Sequence, residues 1–385
     1  MQAVSRVPAV HYGGVGANES TALLLWEACR REPRSHVVSG LIDSGADLGI
    51  AVPASVDHRI APLLWRALES ANRVDSLGAD TGALRAIYDT YRMEAMLLIP
   101  RAVALAVEPL TAGGLEPVIM KGPAIAARYP LPGLRPMEDI DLFLPLRDHE
   151  AALALLGQAG WAVERPASHD DYDSRLVHRE VPSLALELHY GLEHPTQRVT
   201  ALDGEELWRR RQPITCNGVD AFGLSIYDEV TYLSAHAGKP HHAFFRLIWI
   251  ADLAAVIGHY VEHEEAMDWD GLRTLARSAG CSTLLSAALA LARHAGVDSP
   301  ADLFPLPKNG WRGSAIRQLT DVSWPLTHHT LPGYHLNYAL ADTPRGRIRI
   351  LLVLRASGHG IGRRLWSVLD VPRLIRGRLQ RRASS

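Results

Sequence analysis

The segment 139–144 most constrains the fold, because its charged and apolar residues alternate along the chain. Asp139 and Asp141 are separated by Ile140 and followed by Leu142. In a β-strand, residues two apart lie on the same face. This strand therefore places two carboxylates on one face of a sheet and its apolar residues on the other.

A second alternating segment, from Leu184 to His189, predicts another strand. Its leucines occupy one face, and Glu187 and His189 occupy the other. Glu187 is thus available as a third carboxylate. His189 is either a neighbour of the same site or a strand residue with an ordinary structural hydrogen bond.

A turn upstream of these strands is suited to binding phosphate. A short apolar strand predicted at 117–120 ends at Lys121 and Gly122, and a short helix is predicted to follow. Glycine lets the backbone approach a phosphate closely, and a helix N-terminus offers free N–H groups to an anion. Lys121 adds a compact positive charge that can bind a triphosphate. Arg135 and Arg128 are further candidates for nucleotide binding.

The acidic residues predict a metal site. Neighbouring carboxylates repel each other unless a cation neutralises them. Mg²⁺ is usually held by one or two carboxylates together with substrate phosphates, and two such ions can clamp the attacking and leaving oxygens of a phosphoryl group. We expect Asp139, Asp141 and Glu187 to hold one or two Mg²⁺ ions, with Mn²⁺ as a substitute. Glu187 is either a ligand or the base for an attacking hydroxyl.

The order of these features resembles one known family. The runs 118–130 and 134–144 carry a lysine-glycine turn, an Arg-Pro loop and an Asp-Ile-Asp-Leu strand. They are similar to the uncharacterised nucleotidyltransferase family of the DNA polymerase beta-like (minimal nucleotidyltransferase) superfamily. Residues 187–189 match that family's Glu-x-His strand, and Ala235-His236 and the run 247–252 look like its helical C-terminal portion.

The resemblance covers roughly residues 20–350 and implies a reaction class. By it, Asp139, Asp141 and Glu187 are the catalytic and metal-binding carboxylates, and Lys121 and Gly122 form the nucleotide-phosphate turn. The implied reaction moves a nucleoside monophosphate from a nucleoside triphosphate (NTP) to a hydroxyl or phosphate acceptor, which is a small molecule, a peptide or RNA. Family members commonly occur beside genes for natural-product or cell-surface biosynthesis, which favours that context.

This chain departs from the wider superfamily at two positions near the expected site. The commoner Gly-Ser or Gly-Gly turn is Lys121-Gly122 here, which this family often has. Glu138 stands where a small residue is more usual and adds negative charge beside the aspartates.

The patterns predict an α+β fold with an α/β-type core, in which a small mixed sheet has helical regions before and after it. A long helical pattern at 84–110 is expected to kink at Pro100. The expected divisions are a disordered N-terminus at 1–19, a helical section at 20–112, a nucleotidyltransferase core at 113–215, a helical region at 216–344 and an Arg-rich amphipathic tail at 345–385.

Charge is distributed unevenly along the chain. The formal net charge is −2, but residues 345–385 carry eleven arginines against Asp370, so the tail holds +10 and the remainder −12. Such a tail can pack on the acidic remainder or on a partner, bind RNA phosphates, or lie on an anionic membrane. Packing is the favoured reading, and RNA remains a candidate partner.

The sequence also predicts where the protein is found. No stretch has the roughly 18 uninterrupted apolar residues of a membrane span, and residues 1–20 lack a signal-peptide pattern. The three cysteines, Cys29, Cys216 and Cys281, are far apart, which favours reduced thiols. We therefore expect a cytoplasmic protein with no transmembrane segment.

Two histidine groups offer competing metal sites. Residues 259–263 match the inverted zinc-protease motif, but no glutamate follows Glu265 to act as the third ligand. His236, His241 and His242 cluster around a turn, where capping or core hydrogen bonds are more common than metal binding. Two rival functions also stay open: a catalytically inactive nucleotide- or partner-binding protein with the same fold, and a tRNA-directed, toxin-like transferase.

Overall fold

The computed structural model describes residues 19–166, 172–193, 200–239, 242–263, 266–301, 303–327, 333–343, 346–348 and 350. The N-terminal helices are α1 (Glu19–Ala28), α2 (Ser35–Asp43), α3 (Leu48–Asp57), α4 (Ala61–Ser70), α5 (Thr81–Met93) and α6 (Ile99–Ala112). The central elements are β1 (Val118–Ile119), α7 (Pro123–Ala126), β2 (Asp139–Phe143), α8 (His149–Gln158), β3 (Trp161–Arg165), β4 (Asp173–His178), β5 (Ala185–His189), α9 (Gly204–Arg209), β6 (Gln212–Cys216) and β7 (Val219–Gly223). The C-terminal helices are α10 (Ile226–Ala237), α11 (Ile248–His263), α12 (Trp269–Ser278), α13 (Ser282–His294), α14 (Gly310–Leu319), α15 (Trp324–Thr327) and α16 (Gly333–Leu340).

The strands form one mixed sheet in the order β3-β4-β5-β2-β1-β7-β6. The pairs β2–β5 and β1–β7 are parallel, and the remaining neighbours are antiparallel. This arrangement confirms the predicted α+β fold with helical flanks. The sheet continues through β6 and β7 to Gly223, past residue 215. Neither strand is predicted from the sequence. β6 is a largely exposed edge strand and has no clear apolar face.

The two faces of the sheet have different environments, as the alternation predicts. Ile140 and Leu142 of β2 share a hydrophobic cluster with Val103 of α6 and Leu156 of α8. Period-two geometry therefore directs the odd-numbered residues of β2 to the opposite face. That face carries the candidate site.

The helices before and after the sheet share one core. Leu25 of α1 belongs to the same hydrophobic cluster as Leu253 of α11 and Leu285 of α13. The Trp26 indole N–H also donates a hydrogen bond to the Val322 carbonyl, at 2.8 Å. Helices distant in sequence thus support each other and close over one face of the sheet.

The long helical pattern is interrupted just before its proline. α5 and α6 are joined by a π-helical turn at Glu94–Leu98, and Pro100 lies in the first turn of α6, where its missing N–H is tolerated. By length and composition alone, the continuous run Val74–Ala112 could cross a membrane, with a best-window mean hydropathy of 1.5. A core helix passes the same test, and Val103 and Leu110 are buried against the sheet.

Candidate active site

A cavity of about 370 Å³ opens on the acidic face of the sheet. Five of the six predicted site residues line it: Lys121, Arg135, Asp139, Asp141 and Glu187. Its remaining walls come from β4, from the turn after α10 and from the start of α11. The predicted residues are therefore brought to one place, although they come from three separate stretches of chain.

Strand register accounts for the convergence of the carboxylates. β2 and β5 are parallel neighbours, with Asp141 opposite Glu187 and Asp139 opposite Ala185. Facing residues of paired strands project to the same side of a sheet. Asp141 and Glu187 consequently lie side by side, although they are far apart in sequence.

Asp141 is the centre of the polar contacts. Its side chain is 1% exposed, and its Oδ1 atom lies 2.7 Å from Lys121 Nζ and 2.9 Å from His189 Nε2. Burial by itself would raise the pKa of Asp141, but the Lys121 charge and the His189 hydrogen bond hold that pKa well below its usual range. Asp141 is therefore an ionised carboxylate in the folded protein.

Asp141, Glu187 and His189 are spaced as the ligands of a metal ion would be. Ligand atoms of Asp141, Glu187 and His189 all lie within 4.8 Å of one another. His189 Nε2 is the nitrogen that faces the two carboxylates, at 2.9 Å from Asp141 Oδ1 and 3.7 Å from Glu187 Oε2. Two carboxylates suit Mg²⁺ or Mn²⁺, whereas an imidazole is a more usual ligand of zinc or iron. This donor set fits a divalent cation. Asp139 lines the same cavity, and its role as a metal ligand stays a prediction.

Asp139 and Glu187 add negative charge next to this group. Burial and the neighbouring Asp141 charge raise the pKa of both carboxyls. Arg175 contacts Glu187, with Nη1 at 3.3 Å from Oε1. The two pKa values are raised by burial first and by carboxylate repulsion second, and a bound cation would favour the ionised form against both effects.

Gly122 fixes how the lysine turn meets β2. Its φ is +60°, and a Cβ atom added there would lie 3.2 Å from the Asp139 carbonyl oxygen. Glycine is the residue that adopts this conformation without strain. The turn can therefore lie against the strand and direct Lys121 to Asp141.

Arg135 lines the cavity, but its guanidinium forms an ion pair with Asp252 of α11. Its Nε and Nη2 atoms lie 2.8 and 3.0 Å from the two carboxylate oxygens of Asp252, in α11. The Tyr129 hydroxyl donates to the same carboxylate at 2.8 Å. This buried ion pair anchors the Arg-Pro loop to the helical region. A nucleotide-binding role for Arg135 remains a prediction.

The helical wall contributes cavity residues that the sequence analysis did not assign to the site. They include Lys239 and Trp249, and Tyr172, which directly precedes β4, lines the cavity from the sheet. The His236 and His242 rings also line the cavity, with centroids 4.5 Å apart. His241, the third member of the predicted histidine group, lies outside the described residues. One signal was present for Lys239, because the chain contains only three lysines.

The zinc-protease motif is engaged in other contacts. Glu262 forms an ion pair with Arg31 at 2.9 Å, and the His259 and His263 rings stack with centroids 4.3 Å apart. Within the described part of the chain, the motif is not among the groups with metal-ligand spacing. The structure gives the protease hypothesis no support.

Most of the Arg-rich tail, including residues 351–385, lies outside the described residues, as do residues 1–18. The RNA, membrane and packing interpretations of the tail therefore stay predictions.

Comparison with known proteins places this chain in a family. Residues 46–295, well over half of the chain, match the family described as uncharacterised nucleotidyltransferase. No curated protein matches the chain, and no solved structure matches it. A nucleotidyltransferase takes an NTP as a substrate, and such enzymes generally use divalent metals. This chain thus belongs to the uncharacterised nucleotidyltransferase family and is a transferase enzyme.

Proposed function

We propose that this enzyme transfers a nucleoside monophosphate from an NTP to a hydroxyl or phosphate group of an acceptor, with Mg²⁺ or Mn²⁺, and releases pyrophosphate. The observation that carries the proposal is the convergence of Asp139, Asp141, Glu187 and Lys121 on one cavity. The grouping of Asp141 and Glu187 with His189 at metal-ligand spacing supports it.

In this mechanism, Asp141, Glu187 and His189 would hold the cation, which supplies positive charge at the reacting phosphate when bound. Lys121 keeps Asp141 ionised and presents an ammonium to the nucleotide. The acceptor oxygen forms a bond to the α-phosphorus while the bond from that phosphorus to the pyrophosphate oxygen breaks. Glu187 is either a ligand of that cation or the base that takes the acceptor proton.

The acceptor is the least constrained part of the proposal. A cavity of about 370 Å³ lies within the usual size range of small-ligand sites, but the NTP would occupy it, so its volume does not select an acceptor class. Peptide and RNA acceptors, including tRNA, remain alternatives. The natural-product context rests on the family resemblance alone.

Binding of the four NTPs with Mg²⁺, measured by calorimetry, tests the nucleotide site without knowledge of the acceptor. Asp139→Ala/Asp141→Ala should abolish metal-dependent binding. Asp75→Ala, at an exposed aspartate remote from the cavity in sequence, is the control and should bind as the wild type does. Undiminished binding by the double variant would refute the assignment.

Transfer itself is tested with an NTP labelled at the α-phosphate. Small-molecule extracts, peptides and tRNA serve as separate acceptor pools. Label transferred to one pool, with release of pyrophosphate, identifies the acceptor class. NTP binding without transfer to any pool would favour the nucleotide-binding alternative.

A further inference from the structure

Lys239 lies on the helical wall of the cavity, close to the end of α10. It is 6% exposed and lines the cavity together with Lys121, which comes from the sheet. Its carbonyl oxygen accepts hydrogen bonds from the N–H groups of His242 and Ala243, each at 2.9 Å. These hydrogen bonds hold the Lys239 backbone against the segment that begins at His242.

The Lys239 ammonium has no carboxylate partner among the described residues. Its Nζ atom lies 5.2 Å from the centre of the Tyr172 ring, and no ion pair with a described acidic residue accompanies that contact. By contrast, Lys121 and Arg135 in the same lining are paired with Asp141 and Asp252. A buried cation without an anionic partner is unfavourable.

The pKa of Lys239 also indicates that its ammonium lacks an anionic partner in the part of the chain that the structure describes. Burial and the positive charge of Lys121 lower the pKa of Lys239 to about 8, although Glu193, Asp141 and Glu187 act in the opposite direction. The folded protein alone therefore stabilises this ammonium poorly. An anion in the cavity would supply the missing interaction.

The choice of residue type is also informative. The chain has 40 basic residues, and only Lys121, Lys239 and Lys308 are lysines. Two of these three line the one cavity that contains the carboxylate cluster. An ammonium is a compact point charge with three donors, whereas the guanidinium groups of the four arginines in the same lining are wide and planar. A lysine at this position suits close contact with phosphate oxygens in a confined space.

We propose that Lys239 binds the β- and γ-phosphates of the NTP and hence the pyrophosphate that leaves. This inference rests on the proposed function and assigns the polyphosphate to the helical wall of the cavity. The acidic cluster on the sheet lines the same cavity and takes the α-phosphate, where the bond is exchanged. Lys239 is thus a binding residue for the part of the nucleotide that is released.

Calorimetry with Mg²⁺ tests the assignment, using the tightest-binding NTP, its monophosphate, inorganic tripolyphosphate and inorganic phosphate. Lys239→Met should weaken NTP and tripolyphosphate binding about 10- to 100-fold, the effect of losing a charge-assisted hydrogen bond. Monophosphate binding should change less than about twofold. Lys308→Met removes the exposed third lysine and is the matched control, for which all four affinities should stay unchanged.

Each other outcome overturns a specific claim. Unchanged NTP and tripolyphosphate affinities in Lys239→Met would overturn the role of Lys239 and leave the proposed function standing. Equal losses for NTP and monophosphate would place Lys239 away from the β- and γ-phosphates. No NTP binding by the wild type would remove the proposed function and this inference together. Lys239→Gln is measured in parallel, and near-UV circular dichroism identifies the folded variant from which the conclusion is drawn.

Discussion

Lys121 Nζ lies 2.7 Å from Asp141 Oδ1, and His189 Nε2 reaches the same oxygen at 2.9 Å. One buried carboxylate oxygen is therefore contacted by both an ammonium and an imidazole. The first contact joins the turn after β1 to the centre of β2, and the second joins β5 to the same place. The pair is consequently part of the folded core as well as part of the candidate site.

Lys121→Met should lower the free energy of unfolding by about 3 kcal/mol, because it leaves Asp141 buried without its cation. Urea denaturation at pH 7 with a chelator present measures this effect. Lys308→Met, at an exposed lysine, should change stability by less than about 0.5 kcal/mol. If the two variants are equally stable, the Lys121–Asp141 contact does not support the fold.

Glu187→Gln should weaken Mn²⁺ binding by at least about tenfold, the loss seen even for residues that only support a metal ligand. Nucleotidyl transfer should fall by about 10²-fold or more if Glu187 also takes the acceptor proton. The control is Glu164→Gln, because Arg175 contacts both Glu164, at 2.8 Å, and Glu187, at 3.3 Å. If Glu187→Gln binds Mn²⁺ as tightly as the wild type does, Glu187 is not a metal ligand.

Arg135→Met should destabilise the protein by about 3–5 kcal/mol, because Asp252 would then be a buried carboxylate without its cation. Arg59→Met provides the comparison, since it breaks an ion pair with Glu138, whose side chain is 63% exposed. Exposed pairs contribute about 0–1 kcal/mol. Denaturant unfolding of both variants is the measurement, and similar losses for the two would contradict a structural role for the Arg135–Asp252 pair.

Lys239→Met should stabilise the ligand-free protein at pH 7. The pKa of Lys239 falls from 10.5 to about 8 in the folded state, which corresponds to a cost of about 3 kcal/mol at most. The unfolded chain keeps this proton up to pH 10.5, whereas the folded protein loses it above pH 8. The cost of burying the ammonium is therefore fully present below pH 8 and disappears as the pH rises from 8 to 10.5.

Unfolding curves of wild type and Lys239→Met at pH 7 and pH 10 measure this difference. The variant should be the more stable protein at pH 7, and the gap should shrink at pH 10. A wild type that is more stable than the variant at pH 7 would mean that Lys239 has a stabilising partner within the folded chain.

The strands that carry the acidic residues could be predicted because their pattern is local. Alternation at 139–144 and 184–189 predicts which side chains share a face, and β2 and β5 have that arrangement. β6 could not be predicted in this way, because an exposed edge strand needs no apolar face. The π-helical turn before Pro100 was also missed, since proline indicates a break without specifying its form.

The sequence by itself determined the mixed α+β character of the protein and the common face of Asp139 and Asp141, since both follow from short-range periodicity. Only the tertiary structure decided that His189 contacts Asp141, that Asp252 binds Arg135, and that Lys239 lines the cavity. These contacts depend on strand register and on how distant helices pack over the sheet. Neither is encoded in the spacing of neighbouring residues, because both arise from the burial of apolar faces that lie far apart in the chain.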